Sequence, residues 1–265
     1  MSSALMLAAC SAVDPVSGDD VGHRSQASIT GNSITGNALD TNALHLSTLN
    51  LHALNAAALD PAALAAIQDP GSNGTLARQF VQYTTSCAFN ASQTFSFSWT
   101  DAAGTTHQES YPGDLGLAPY WAGGPLIASD DRWISACLTA RVNWYGVRVT
   151  LSARSPGAKL PISDTERTTF TTREGAFFGN LFGTSPAVYS CDDPGQVAAA
   201  RARYRDCAAG HVNADGSIVS CSIIQRLGPC SSWCADQNPT DGFFSRCQDP
   251  QAGIESSEVI TVYLQ

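Results

Sequence analysis

From Leu76 onward the apolar residues fall into recognisable periods. Leu76, Phe80, Tyr83 and Cys87 stand at i, i+4, i+7 and i+11, which predicts a helix over about 75–87 with one buried face. Phe95, Phe97 and Trp99 alternate with Ser and Thr, the pattern of a half-buried strand. Asp101 to Gly104 is a turn, and Thr105 to Tyr111 returns as the second strand of a hairpin. After a Gly/Pro-rich loop from Pro112 to Ala128, Ser129 caps a predicted helix that runs to about Tyr145. Its apolar face is Trp133, Cys137, Leu138, Val142 and Tyr145, and Gly146 stops it. Val147, Val149 and Leu151 alternate as a strand, and Pro156 to Asp164 is a loop. Thr171 to Glu174 has the spacing of a capping box, so a helix is expected over Ala176-Phe177-Phe178. Pro194 to Cys207 reads as helix, His211 to Gly216 as a turn, and Ser217 to Leu227 as a strand. Gly228 to Gly253 reads as a cysteine-held loop region, and Val259 to Leu264 as a closing strand. Helices and strands mix without βαβ regularity. The expected class is α+β, an antiparallel sheet with packed helices, stapled by disulfides and preceded by a repeat tail.

That tail has a different period. Ile29, Ile34, Leu39, Leu44, Leu49, Leu54, Leu59 and Leu64 recur every fifth residue, in units such as Gly-Asn-Ala-Leu-Asp. The period resembles that of the pentapeptide-repeat proteins, whose right-handed β-solenoid points the central Leu inward. Two before the centre, where that family buries a small apolar residue, this chain has Asn32, Asn37, Asn42, Ser47 and His52. The residues themselves favour an extended tether whose leucines dock intermittently on the main domain, with 11–58 its most mobile part. Asp60-Pro61 then opens a short helix to about Gln68, which Asp69-Pro70-Gly71 ends.

The net charge of −9 argues against a phosphate-binding surface, so no nucleic-acid partner is expected. Nine cysteines change the picture more. Met1 to Cys10 ends in Leu7-Ala8-Ala9-Cys10, which resembles the lipobox of bacterial lipoproteins. In that family Cys10 carries the lipid and becomes the mature N-terminus, and Ser11 directs sorting to the outer membrane. The apolar stretch before Cys10 is short and lacks Lys or Arg, so a start upstream of Met1 is expected. The eight remaining cysteines are Cys87, Cys137, Cys191, Cys207, Cys221, Cys230, Cys234 and Cys247. An even number in an exported chain implies disulfides. Six crowd the last 75 residues and can satisfy one another locally, which leaves Cys87 and Cys137 as partners. The implied organisation is 1–10 a truncated signal with lipobox, 11–58 a tether, and 59–265 the stapled domain. Stretches such as Ser86-Cys87-Ala88-Phe89 and Trp133-Ile134-Ser135-Ala136-Cys137 are similar to uncharacterised cysteine-rich bacterial lipoproteins, a family that implies no activity.

Candidate chemistry is sparse. No G-x-S-x-G elbow, Walker loop, dinucleotide fingerprint or H-E-x-x-H occurs. Zinc ligation by Cys221, Cys230, Cys234, Cys247 and His211 lacks paired C-x2-C knuckles, so no metal or other cofactor is expected. Asp236, Asn238 and Thr240 imitate a calcium loop, but its twelfth position is Cys247. His107 and Glu109 share one hairpin face and offer an acid/base pair. Glu174, beside an apolar run, with Asp164 or Glu166 as a second carboxylate, would suit glycoside hydrolysis. The expected function is an outer-envelope lipoprotein, held to the membrane by lipid at Cys10, with a non-enzymatic binding or structural role toward a protein or glycan. A hydrolase of envelope glycan is the alternative.

Overall fold

The computed structural model describes residues 29–32, 34–40, 44–157 and 159–265. Cys10, the lipobox and the first part of the tether lie outside the described residues. A short strand β1 (Ile29–Asn32) and two helical turns, α1 (Gly36–Leu39) and α2 (Leu46–Leu49), lead to α3 (Pro61–Gln68) and α4 (Ser72–Ala88). The hairpin β2 (Thr94–Thr100) and β3 (Thr106–Pro112) precedes α5 (Ala128–Ala140). Then come β4 (Val149–Arg154), α6 (Asp164–Thr169), β5 (Thr172–Asn180), β6 (Ala187–Asp192) and α7 (Val197–Arg201). The rest is strand: β7 (His211–Val212), β8 (Ile218–Val219), β9 (Ile224–Pro229), β10 (Cys234–Gln237), β11 (Phe244–Asp249), β12 (Ile254–Ser256) and β13 (Ile260–Leu264).

Six strands form the main sheet in the order β1-β4-β13-β5-β6-β9, antiparallel except for the parallel pair β6 and β9. The alternation of side chains builds the layers. Phe177, Ile260, Val262 and Leu264 belong to the core shared with α4 and α5, whereas Ala176, Phe178 and Tyr189 join Phe244 and Val259 on the opposite face. The antiparallel sheet β10-β11-β12 covers that second face. The fold is α+β, as the mixed periods predict, and four disulfides staple it. Cys87–Cys137 ties α4 to α5 across 50 residues. The local bridges are Cys191–Cys230, Cys207–Cys221 and Cys234–Cys247.

Besides Gly228 to Gly253, read as a loop region and found to hold β10 and β11, three expectations need correction. The period-five leucines are built into the core: Ile34, Leu39, Leu44, Leu49, Leu54 and Leu59 are buried in the same cluster as Phe80 and Trp121. Among the described residues these positions share the core of the helices after residue 59, and the backbone makes helical turns, where the solenoid resemblance implies β coils. Asn37 and Ser47 are exposed, not inward. Second, the predicted helix after Thr171 is the strand β5, because Phe177 and Phe178 must each fill a different face of a central strand. Third, α5 ends at Ala140, not Tyr145. The buried Arg205 guanidinium donates to the carbonyls of Ala140 (2.8 Å) and Val142 (2.6 Å), satisfying helix-end acceptors from outside the helix. Val142 then bridges Ile34, and the amide of Asn143 donates to the Ile34 carbonyl at 3.1 Å.

Candidate functional site: an aromatic cleft

The early end of α5 frees Asn143 to Gly146 to form a surface turn. The Asn143 side chain organises it: Oδ1 accepts from the Tyr145 amide (2.8 Å) and Nδ2 donates to the Tyr204 carbonyl (3.0 Å). Gly146 has φ 64°, the left-handed conformation that suits glycine. Tyr204 also has φ 58°, which costs a non-glycine residue about 1–3 kcal/mol and marks a place the surroundings enforce. The consequence is a division of labour between neighbours. Arg205 turns inward to Glu174 and the α5 carbonyls, while Tyr204 stays 59% exposed.

Asp206 is the centre of the site. Its buried Oδ2 accepts from the Tyr145 hydroxyl at 2.7 Å and from His211 Nδ1 at 2.6 Å, and Oδ1 lies 3.6 Å from Arg201 Nε. A carboxylate only accepts, so this contact keeps the proton on Nδ1 and leaves Nε2 as the other ring nitrogen. Burial first, then the Asp206 oxygen that receives its proton, pushes the Tyr145 phenol up to about 12. The Cys207–Cys221 bridge closes the loop that carries His211, and Arg201 Nη2 fixes Gly210 by donating to its carbonyl at 2.9 Å.

On this base sit the aromatic rings. Trp144 stacks on His211 with centroids 4.3 Å apart and planes 13° from parallel. Tyr145 stands edge-on to His211 (5.5 Å) and to Tyr204 (5.6 Å). Trp144 is nonetheless 43% exposed and Tyr145 41% exposed. One indole face is covered by His211, and the exposed remainder of Trp144 borders the cleft. A cleft of about 500 Å³ opens beside these rings, lined by Thr35, Gly36, Asn37, Trp144, Tyr145 and Ser222. Its far wall is the first turn of α1, so the period-five segment completes the cleft. A second cleft, of about 460 Å³ and lined in part by His45, has no Trp, Tyr or Phe among its described lining residues.

No known family model, curated protein or solved structure matches the chain. The residues singled out in the sequence are placed elsewhere. Glu174 is the extra residue of a β-bulge: β13 pairs Val262 with Gly175 and Tyr263 with Arg173, skipping it. The bulge aims Glu174 toward the helices, where Oε2 receives Arg205 Nε at 2.8 Å and Nη2 at 2.7 Å. Desolvation raises this carboxyl and Arg205 opposes the rise. Glu166 is buried against the Ser152 hydroxyl, on the opposite face of the sheet from Leu151 and Ala153, which point into the main core. The sheet therefore separates Glu174 from Glu166, and Asp164 is a solvent-facing partner of Arg167.

His107 and Glu109 do not pair either. His107 meets Asp101 at 2.9 Å and stacks on Trp99, whose indole nitrogen donates to Glu109 at 2.9 Å. In the calcium-like loop, Asn238 Oδ1 accepts the amides of Thr240 and Asp241, and the Asp241 carboxylate holds Arg167. The Asp236 side chain lies outside the described ones. Sequence reasoning missed Asp206 altogether and read Tyr145 as a buried helix residue. The dipeptide Trp144-Tyr145 before a glycine was the available signal, since two large aromatics at a chain reversal have little core to enter.

Proposed function

We propose that this chain is an exported, lipid-anchored binding module of the bacterial outer envelope, and that its aromatic cleft holds a saccharide ring. The observation that carries the binding reading is Trp144 bordering the cleft with much of its surface exposed, held flat by His211, which the buried Asp206 carboxylate holds in turn. A pyranose offers an apolar C–H face and hydroxyls around its edge. The C–H face suits the electron-rich face of an indole, and the hydroxyls suit the Asn37 amide and the Ser222 hydroxyl, which line the cleft. A base could stack on the same ring, but its phosphates would meet a chain of net charge −9 with Arg201 already committed to Asp206.

Export is supported by the lipobox-like Leu7-Cys10 and by eight cysteines that pair completely among themselves. Among the described residues no helix is long and apolar enough to cross a membrane; the proposed attachment is lipid at Cys10, on the lipobox-like Leu7-Cys10.

Two measurements test the proposal. Expressed in a bacterial host from its full reading frame, the protein goes to the membrane pellet and Cys10→Ser goes to the soluble fraction; equal partitioning of the two contradicts the anchor. Soluble N-acetylglucosamine oligomers and solubilised peptidoglycan fragments quench the tryptophan fluorescence of the purified protein. Trp144→Ala weakens that binding by roughly tenfold or more, as expected for losing one stacked aromatic contact. Unchanged affinity in Trp144→Ala contradicts the cleft.

A further inference from the structure

Two disulfides lie against each other under the second face of the main sheet. Cys191 Sγ of the Cys191–Cys230 bridge is 3.6 Å from Cys234 Sγ of the Cys234–Cys247 bridge. The sulfurs of Cys191, Cys230 and Cys234 all lie within 4.8 Å of one another. The other two bridges, Cys87–Cys137 and Cys207–Cys221, belong to the main core cluster. Burial differs within the group: Cys191, Cys230 and Cys247 are buried, whereas Cys234 is only partly so. Cys230 and Cys234 also line a surface cavity of about 350 Å³, together with Arg173, Asp193 and Ser231. A small thiol or the tip of a dithiol protein reaches Cys234 from there.

We propose that these paired bridges form a thiol–disulfide exchange centre entered at Cys234, in which Cys191 changes partner between Cys230 and Cys234. The external reactant is a dithiol. Its first thiolate attacks Cys234 Sγ, the Cys234–Cys247 bond breaks, and Cys247 leaves as thiolate and takes a proton. The reagent's second thiol closes on the first, giving the reagent's own disulfide and releasing Cys234 as thiolate. Two electrons have passed from the dithiol to one protein bridge. Cys234 then attacks Cys191 Sγ across the 3.6 Å gap; the Cys191–Cys234 bond forms, the Cys191–Cys230 bond breaks, and Cys230 leaves as thiolate. This last step consumes neither oxidant nor reductant, so it runs both ways. The C-x3-C spacing of Cys230 and Cys234, on one turn of chain leading into β10, keeps both alternatives within reach of Cys191.

The variant Cys247→Ala tests this directly, because it leaves Cys234 as a free thiol beside an intact bridge. The folded full chain is alkylated, digested without reduction and mapped, with chymotryptic cleavage after Trp233 separating Cys230 from Cys234. Both Cys191–Cys230 and Cys191–Cys234 linked peptides are expected, with alkyl label shared between Cys234 and Cys230. A single Cys191–Cys230 peptide with fully labelled Cys234 overturns the proposal. Cys221→Ala is the control: it frees Cys207 and leaves the other three bridges unchanged, and scrambling there as well would show general reshuffling and overturn the proposal too. If Cys247→Ala fails to fold, the wild-type chain is treated with one equivalent of dithiol and quenched in acid over time. Opening of Cys234–Cys247 followed by a Cys191–Cys234 peptide is expected, and initial opening of Cys191–Cys230 with Cys234–Cys247 intact overturns it.

Discussion

Arg205 serves three acceptors at once, the Glu174 carboxylate and the carbonyls of Ala140 and Val142, with no exposed surface of its own. Removing one partner of such a buried pair leaves the other charged and unsolvated. Arg205→Met is therefore expected to lose about 3–5 kcal/mol at neutral pH, and Glu174→Met with Arg205→Met together to lose less than the sum of the two singles. The loss depends on pH, and its sign follows from Glu174. Burial already raises this carboxyl, and without Arg205 it rises further, so the folded state binds a proton that the unfolded state has released. Between the unfolded and folded pKa values, stability falls as pH rises. Chemical denaturation of Arg205→Met against wild type at pH 7 and pH 5 should show the gap narrowing at the lower pH; a constant gap would mean that Glu174 is not the titrating group. The sequence singled out Glu174 because glutamate is scarce and apolar residues follow it. What it could not show is the bulge that turns this side chain onto an arginine 31 positions away.

Among the elements, the period-five segment is the most informative. Its spacing was legible; that its leucines are built into the core on helical turns, where intermittent docking from an extended tether was expected, was not. Short polar units such as Gly-Asn-Ala-Leu-Asp have weak local preferences, and the tertiary contacts decide their conformation. Leu49 is fully buried and Leu44 equally so. Leu49→Ala is expected to cost about 2–5 kcal/mol, as for other leucines cut back in a closed core. Limited elastase digestion should leave residues 34–58 attached to the domain in the wild type; a resistant fragment starting near residue 60 would contradict this. The hairpin β2–β3 and helix α3 match their sequence signatures closely because their signals are local: alternating aromatics, and an aspartate cap followed by proline. The end of α5 was misread for the opposite reason. Gly146 is a good local stop, but Arg205 satisfies the carbonyls one and a half turns earlier.

For the molecule as a whole, cysteine arithmetic reached further than motif search. Crowding of six cysteines after residue 190 left Cys87 and Cys137 to each other, and that bridge joins the two long helices of the core. The cleft was not legible because its walls come from distant pieces, the turn after α5, the first turn of α1 and Cys221-Ser222, and the loop with Asp206 and His211 backs Trp144 from outside it. Each piece alone reads as loop. The central claim is that this assembly is a ligand site, and the five tryptophans provide the probe. Three indole nitrogens are tied down inside the protein, Trp99 to Glu109, Trp121 to the His52 carbonyl and Trp233 to the Leu227 carbonyl, while Trp144 faces the cleft. The decisive measurement is an NMR titration of the indole N–H signals with N-acetylglucosamine oligomers and solubilised peptidoglycan and lipopolysaccharide core fragments. One of these saccharides is expected to move the Trp144 signal in a saturable way while Trp121 stays in place. A Trp144 signal that none of them moves would contradict it.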